Sequence, residues 1–309
     1  MFESTSGSKA LAFALAFTAC GVARAQDAPR LPLEQVPLNS VGTVSSVALD
    51  QSTARSGVIY VLQRGDKADP VIAVDKAGKT LRSWGKGMFT VPHSVRVDAD
   101  GNVWTVDAGS SVILKFTSEG KKLQEISVGE IATGDKCAFP TLCGTTDIAF
   151  GPNGRLFISD GYGNARILEY TADGKRVKVW GSAGTGPGQF QIPHGIAYEG
   201  RTLYVADRGN TRVQRFDLDG HYLGEWTNLG RPFALKVVGG ALWVSTMLTK
   251  ESQTKPAILK VDLATGKILG QIESPGPHSI DVSEAGELVA SGCCGGSNPS
   301  GYSFFRKPR

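Results

Sequence analysis

Apolar and polar residues alternate in short runs, separated by glycine-containing turns, along most of the chain. The clearest units span residues 92–126, 145–181 and 193–226. Each unit has a first alternating strand, a second strand such as LFISD or LYVAD, and a polar turn. A third strand such as RILEY or RVQRF follows, and a fourth, short strand ends in Trp or Ile. A period of two residues predicts β-strands rather than helices.

Three fainter copies of this unit begin at Val44, Arg231 and Pro277, which brings the total to six. Four antiparallel strands in about 40–50 residues are typical of a propeller blade. We therefore predict an all-β fold, a six-bladed β-propeller with four antiparallel strands per blade, over residues 41–309. The last unit lacks obvious outer strands. Residues 302–305 are a candidate for an outer strand. Residues 31–38, in the N-terminal segment 26–40, are a further candidate to complete this blade and close the ring.

Composition adds few constraints to this prediction. In the 309-residue chain, 41% of residues are hydrophobic, which excludes disorder as the overall state. The 33 Lys and Arg against 29 Asp and Glu give a net charge of +4, and the basic residues are scattered. We therefore expect no nucleic-acid partner, and we expect a monomer.

The first 25 residues resemble a secretory signal peptide. Lys9 precedes an apolar run at 10–22, and Ala-Arg-Ala at 23–25 offers a cleavage site. The apolar run is shorter than the ~20 residues that span a bilayer. We expect a secreted or periplasmic protein with no membrane span. Lipidation of Cys20 is the alternative, although Phe17 stands where a lipoprotein box prefers leucine.

Four cysteines remain after the predicted cleavage site: Cys137, Cys143, Cys293 and Cys294. An even number in an oxidising compartment favours structural disulfides. Cys137 and Cys143 are spaced to close a small loop, whereas the vicinal pair would form a strained bridge. A metal site built from all four cysteines is the alternative, without a CxxC spacing to support it.

Three histidines occupy the same position in alternate units. His93, His194 and His278 follow a proline in PHSV, PHGI and PHSI, at the start of the first strand of units two, four and six. Alternate blades of a six-bladed ring lie about 120° apart, so these side chains converge above the central channel. Three imidazoles with an open fourth position are typical of a catalytic zinc site. Structural histidines that bond the backbone are the alternative. The intervening units carry Ser45, Thr146 and Phe233 at this position.

Other polar residues fall at the ends of the second strands, on the same predicted face. Arg64, Tyr162 and Arg208 stand there and are expected to overlook the histidines. Asp160 and Asp207 are more easily explained as residues that hold the turns of their own blades.

The segments PHSVRVDADGNVWTVD, FISDGYGNARI and YVADRGNTRVQRF resemble NHL-type propeller blades. Together with PHGIA and PHSIDVSEAG they resemble the peptidyl-α-hydroxyglycine α-amidating lyases. The resemblance implies cleavage of the N–Cα bond of a peptide or small molecule that ends in α-hydroxyglycine, giving an amide and glyoxylate. It implies that the three histidines hold zinc and that Tyr162 is the catalytic base. Arg64 and Arg208 would bind the substrate and lower the pKa of the tyrosine.

Two departures from the family pattern affect the metal and the pocket. The resemblance implies a channel calcium bound by the carbonyls of Val47 and Val95 and by an aspartate, but Ser279 stands at the aspartate position. A hydroxyl is a poor ligand for a hard cation, and this substitution disfavours calcium. Gly276 replaces a methionine of the family.

The departures leave two alternatives to the lyase. One is a non-catalytic NHL-repeat binding or scaffold propeller that keeps the metal site. The other is a sugar-lactone hydrolase, whose calcium site uses carboxylate and amide ligands rather than histidines.

Overall fold

The computed structural model describes residues 34–37, 41–52, 55–129, 137, 142–247, 256–274, 276–292 and 303–306. The predicted signal peptide, Cys20 and the Cys293–Cys294 pair lie outside the described residues. Within these ranges the fold is all-β, and the single helical element is a 3₁₀ turn at Pro152–Gly154. The predicted all-β propeller class is confirmed.

Five blades form complete four-stranded antiparallel sheets in sequence order. Blade 1 contains β2 (Thr43–Leu49), β3 (Ile59–Arg64), β4 (Val71–Val74) and β5 (Thr80–Trp84). Blade 2 contains β6 (Pro92–Val97), β7 (Val103–Asp107), β8 (Val112–Phe116) and β9 (Lys122–Ser127). Blade 3 contains β10 (Asp147–Phe150), β11 (Leu156–Asp160), β12 (Arg166–Tyr170) and β13 (Arg176–Trp180). Blade 4 contains β16 (Pro193–Glu199), β17 (Thr202–Asp207), β18 (Arg212–Asp217) and β19 (Tyr222–Trp226). Blade 5 contains β20 (Arg231–Val238), β21 (Ala241–Met247), β22 (Ala257–Asp262) and β23 (Ile268–Glu273).

The sixth position differs from the prediction of a four-stranded blade. Its hydrogen-bonded sheet has two strands, β24 (Pro277–Val282) and β25 (Leu288–Gly292). A separate antiparallel ladder joins β1 (Glu34–Pro37) to β26 (Ser303–Arg306), and β26 lies against β25. Strands from the two ends of the chain therefore meet beside the sixth sheet. A short parallel pair, β14 (Ser182–Ala183) with β15 (Gln189–Phe190), connects blades 3 and 4.

Six apolar clusters hold the ring together, one between each pair of neighbouring sheets. Five of them join blades 1–2, 2–3, 3–4, 4–5 and 5–6 in turn. The sixth packs Val289 of β25 against the core of blade 1. Each sheet packs both of its faces against neighbouring sheets. Apolar side chains on both sides of its inner strands are therefore buried.

The turns between third and fourth strands are shaped by glycine. Gly120 and Gly220 have φ of 90° and 79°, a region that side chains with a Cβ rarely adopt. A Cβ on Gly120 would lie 2.8 Å from the ring of Trp84, and one on Gly220 would lie 2.9 Å from the ring of Trp180. Both tryptophans end the fourth strand of the preceding blade. The repeated Trp and Gly therefore form a contact that links successive blades.

Candidate metal centre

Each of the three histidines lies at a β-bulge in the first strand of its sheet. The register shifts fall between Pro92 and Ser94 in β6, between Pro193 and Ile196 in β16, and between Pro277 and Ser279 in β24. A bulge takes a side chain out of the regular alternation and directs it elsewhere. The bulges explain how residues in strands that are buried on both faces direct their imidazoles towards the central channel.

The structure brings His93, His194 and His278 together as the sequence predicts. Their rings form a nearly equilateral arrangement, with all three pairs of centroids 4.9 Å apart. All three are buried, and each offers a ring nitrogen within 4.8 Å of those of the other two. The group is therefore compact enough to hold one metal ion.

Each imidazole is oriented by a backbone carbonyl of the next blade around the ring. The Nδ1 bonds run from His93 to Thr146 O (2.6 Å), from His194 to Phe233 O (2.9 Å) and from His278 to Ser45 O (2.8 Å). A carbonyl only accepts, so Nδ1 carries the proton and Nε2 keeps its lone pair. The acceptors are the three residues that stand at the histidine position in the blades without a histidine. This tautomer leaves three Nε2 atoms available as ligands.

Burial and charge keep these imidazoles neutral. Burial lowers the pKa of His278 to about 3, and the nearby charge of Arg64 adds to this effect. Burial, followed by the proximity of His278, lowers the pKa of His93 and His194 well below the ordinary value. A neutral imidazole is the form that binds a metal, so the group fits a cation such as zinc through its donor set and its protonation state.

Tyr162 reaches the same point from blade 3, just after β11. Its Oη lies 2.9 Å from Nε2 of His93 and 3.0 Å from Nε2 of His194. The close approach of two backbones places it there, because a Cβ on Gly161 would lie 1.8 Å from the carbonyl oxygen of Pro193. Glycine at 161 is thus required for Tyr162 to lie beside the histidine of the next blade.

The two predicted arginines lie at this end of the channel. Nη1 of Arg208 is 3.4 Å from Tyr162 Oη, and its guanidinium stacks on the ring of Phe233 at 4.4 Å. Nε of Arg64 donates to the carbonyl of Pro92 at 2.8 Å, directly before His93. The structure therefore places all three predicted non-histidine residues around the histidine group.

The pKa of Tyr162 differs from the expectation that nearby arginines lower it. Burial raises the pKa of the phenol above its ordinary value of 10.0. The positive charges of Arg208 and Arg64 act in the opposite direction, as expected, but burial prevails. The phenol is therefore protonated at neutral pH in the metal-free protein.

Val47 and Val95, the predicted calcium ligands, lie in the first strands below the histidines. Their amides donate to hydroxyls of the channel, Val47 N to Ser279 Oγ at 3.3 Å and Val95 N to Ser46 Oγ at 3.1 Å. Ser46 and Ser279 are also bonded to each other at 2.9 Å. Ser279 is thus engaged in a neutral hydroxyl network that supplies no carboxylate to a cation, and the residues present do not fit calcium.

Sequence reasoning did not assign a role to Phe233. Its carbonyl orients His194, and its ring supports Arg208 and lies 5.2 Å from the His194 ring. The sequence did offer one signal, because Phe233 stands at the position in its unit that the histidines occupy in alternate units. Asp160 and Asp207, by contrast, hold their own blades as expected, through Arg166 and Arg212 at 2.8 Å each.

Comparison with known proteins supports the resemblance. An NHL repeat model matches residues 190–216, the segment that contains His194 and Arg208. Peptidylglycine alpha-amidating monooxygenase of Rattus norvegicus is 32% identical over 210 residues, covering 58% of this chain and 21% of that protein. NHL repeat-containing protein 3 of Mus musculus is 34% identical over 209 residues, covering 62% of this chain and 58% of that protein. The predicted resemblance is confirmed.

A probable peptidyl-alpha-hydroxyglycine alpha-amidating lyase of Caenorhabditis elegans is 29% identical over 213 residues, covering 64% of this chain and 59% of that protein. The matches thus span less than two thirds of these relatives. Among solved structures, a gluconolactonase of Xanthomonas campestris superposes with a TM-score of 0.62 at 16% identity, covering 94% of this chain and 93% of that chain. At that identity the likeness concerns the fold alone.

Two further observations bear on the environment of the protein. A disulfide joins Cys137 and Cys143, whose Cα atoms are 4.4 Å apart. This is the small loop that the spacing of these two cysteines suggested. None of the helices in the described part of the chain is long and apolar enough to cross a membrane.

Proposed function

We propose that this protein is an exported, zinc-dependent lyase. Its substrate is a peptide or small molecule that ends in α-hydroxyglycine, and its products are the corresponding amide and glyoxylate. Names of relatives such as the C. elegans protein favour this reaction class. The observation that carries the proposal is the position of Tyr162, whose hydroxyl lies within hydrogen-bond distance of two of three converging histidines.

His93, His194 and His278 would hold the zinc through Nε2, because their Nδ1 atoms are already bound to carbonyls. A zinc ion bound there would supply Lewis acidity and a positive charge that favours the deprotonated phenol of Tyr162.

The reaction needs no co-reactant. The hydroxyl O–H and the N–Cα bond break, the C–O bond becomes a C=O bond, and the amide nitrogen gains a proton. Tyr162 is suited to take the hydroxyl proton, because it is the buried acid–base group beside the histidines. Arg208 and Arg64 place two positive charges at the same end of the channel, where they would hold the carboxylate of the substrate.

Export is part of the proposal. It is supported by the leader-like residues 1–25 and by the Cys137–Cys143 disulfide, a bond that persists in oxidising compartments.

The test uses protein purified from the periplasm of an expression host. Elemental analysis should find one zinc per chain, and incubation with α-hydroxyhippurate should release glyoxylate and benzamide in equal amounts. Zinc binding without glyoxylate release would favour the alternative of a binding propeller. Calcium without zinc would contradict the lyase proposal.

A further inference from the structure

A buried guanidinium lies in the central cavity that the three histidines also line. Arg96 of β6 is 8% exposed, and its Nε donates to Asp147 Oδ1 at 3.0 Å. Its Nη2 donates to the other carboxylate oxygen of Asp147, and its Nη1 donates to the carbonyl of Ile280 at 3.0 Å. One side chain of blade 2 is thereby bonded to blades 3 and 6 across the channel.

The carbonyl of Ile280 belongs to the same layer of the channel as the carbonyls of Val47 and Val95, to which the resemblance assigns calcium. Ile280 follows His278 by two residues, as Val95 follows His93 and as Val47 follows Ser45. The guanidinium therefore already brings a positive charge to that layer of channel carbonyls.

The acidic partners of this layer are fully engaged. Asp147 of blade 3 also accepts from Ser94 Oγ of blade 2 at 2.6 Å. Asp281 of blade 6 is paired with Lys236 of blade 5 at 2.8 Å and accepts from Leu49 N of blade 1 at 2.9 Å.

Two cations thus balance two carboxylates in the network. Arg96 is attracted to both Asp147 and Asp281, which raise its pKa although burial opposes this. An added divalent ion would carry two uncompensated charges into a buried region, which is costly.

We propose that Arg96 is the structural cation of the channel and that the ring requires no bound calcium. The guanidinium pairs with the buried carboxylate of Asp147 and links three blades through its hydrogen bonds to Asp147 and Ile280. This inference concerns the stability of the ring and does not depend on the proposed lyase activity.

The first test is the thermal unfolding of the wild-type chain. Protein stripped of metal and reloaded with one equivalent of zinc is compared with and without millimolar calcium, a range that occupies weak extracellular sites. We expect the same unfolding midpoint in both samples. A calcium-dependent rise of several degrees, or one calcium per chain by elemental analysis, would overturn the proposal.

The second test removes the guanidinium. Arg96→Ala should lower the unfolding midpoint by roughly 10 °C, because it leaves a buried carboxylate without its partner. Millimolar calcium should restore part of this loss, since Asp147 and the channel carbonyls are then free to bind a cation. An Arg96→Ala protein as stable as wild type, or one that calcium does not stabilise, would contradict the proposed role. If that variant does not fold, the wild-type calcium measurement still decides the question.

Arg212→Ala is the matched control. Arg212 is also buried and paired with an aspartate, Asp207, at 2.8 Å, but both residues lie in blade 4. Asp207 keeps Asn210, Gln214 and the Gln191 amide as donors when the arginine is removed. We expect this variant to lose stability without a response to calcium.

Discussion

The Nδ1 atom of His278 bonds to the carbonyl oxygen of Ser45 at 2.8 Å, although the two residues are 233 positions apart in the chain. The bond connects the sixth sheet to blade 1 and sets the tautomer of a candidate ligand. Ring closure and the metal centre therefore depend on the same contact, because the imidazole points its Nε2 to the axis only when blade 1 is in place.

Replacing His278 with glutamine should abolish tight zinc binding. Loss of a residue that only hydrogen-bonds to a zinc ligand lowers zinc affinity about 10–100-fold. Loss of a ligand itself should therefore lower it more than ~100-fold. Competition with a chromogenic chelator measures the affinity. His221→Gln is the matched control, because His221 lies in an exposed turn beside Asp217. Equal zinc affinity in the two variants would show that His278 is not a ligand.

The metal-free protein should lose stability as the pH falls from about 7 towards 3. The pKa of His278 is lowered from 6.5 to about 3 in the folded state, so the unfolded chain binds a proton that the folded chain does not. The stability that this histidine contributes is present above pH 6.5 and is lost as the pH falls through the folded value. The slope is about 1.4 kcal/mol per pH unit for each such histidine.

Urea unfolding of chelator-treated protein between pH 7 and pH 4 measures this slope. It should be smaller in His278→Gln than in wild type. A slope that does not change in His278→Gln would mean that folding does not shift the pKa of His278.

Tyr162→Phe should lower turnover by ~10²–10⁴-fold, the usual cost of losing a general base. The substitution keeps the ring and removes only the hydroxyl that lies near His93 and His194. Zinc content and the unfolding midpoint of the zinc-loaded protein are the controls and should stay close to wild type. Undiminished glyoxylate release from a zinc-loaded Tyr162→Phe protein would assign proton transfer to another group.

Phe233→Leu should raise KM for α-hydroxyhippurate about 10-fold while leaving zinc bound. The leucine removes the ring that supports Arg208 at 4.4 Å but keeps the carbonyl that orients His194. A cation–π contact contributes about 1–2 kcal/mol from partly exposed to desolvated sites, which corresponds to about 5–30-fold in KM. Phe233→Tyr retains the aromatic face and should restore KM. Equal KM values in wild type and Phe233→Leu would show that Arg208 does not depend on the ring.

Much of the architecture follows from local sequence alone. The period of two and the glycine turns recur from unit to unit, and the fourth strand ends in Trp in three of the blades, because each blade packs against its neighbours in the same way. PHS and PHG recur at the same position of the first strand in alternate blades. For this reason the convergence of the histidines could be predicted from the sequence.

Other features depended on contacts between residues far apart in the chain. The pairing of Glu34–Pro37 with Ser303–Arg306 stands in place of the regular outer strands of the sixth blade, and no local pattern specifies that these two segments pair with each other. The hydrogen bonds of Arg96 to Asp147 and Ile280 join blades 2, 3 and 6, whose residues are far apart in the chain. In the sequence, Arg96 is only a charged residue within an otherwise apolar strand.

The acid–base properties of the site also come from tertiary structure. The sequence places two arginines near Tyr162, which predicts a lowered pKa, but burial raises it. The charge of a side chain follows from its residue type. The loss of solvation of the phenol depends on how the blades of the propeller pack around it. The sequence by itself thus determined which residues meet at the axis, and the tertiary structure decided their protonation and the cation that holds the channel.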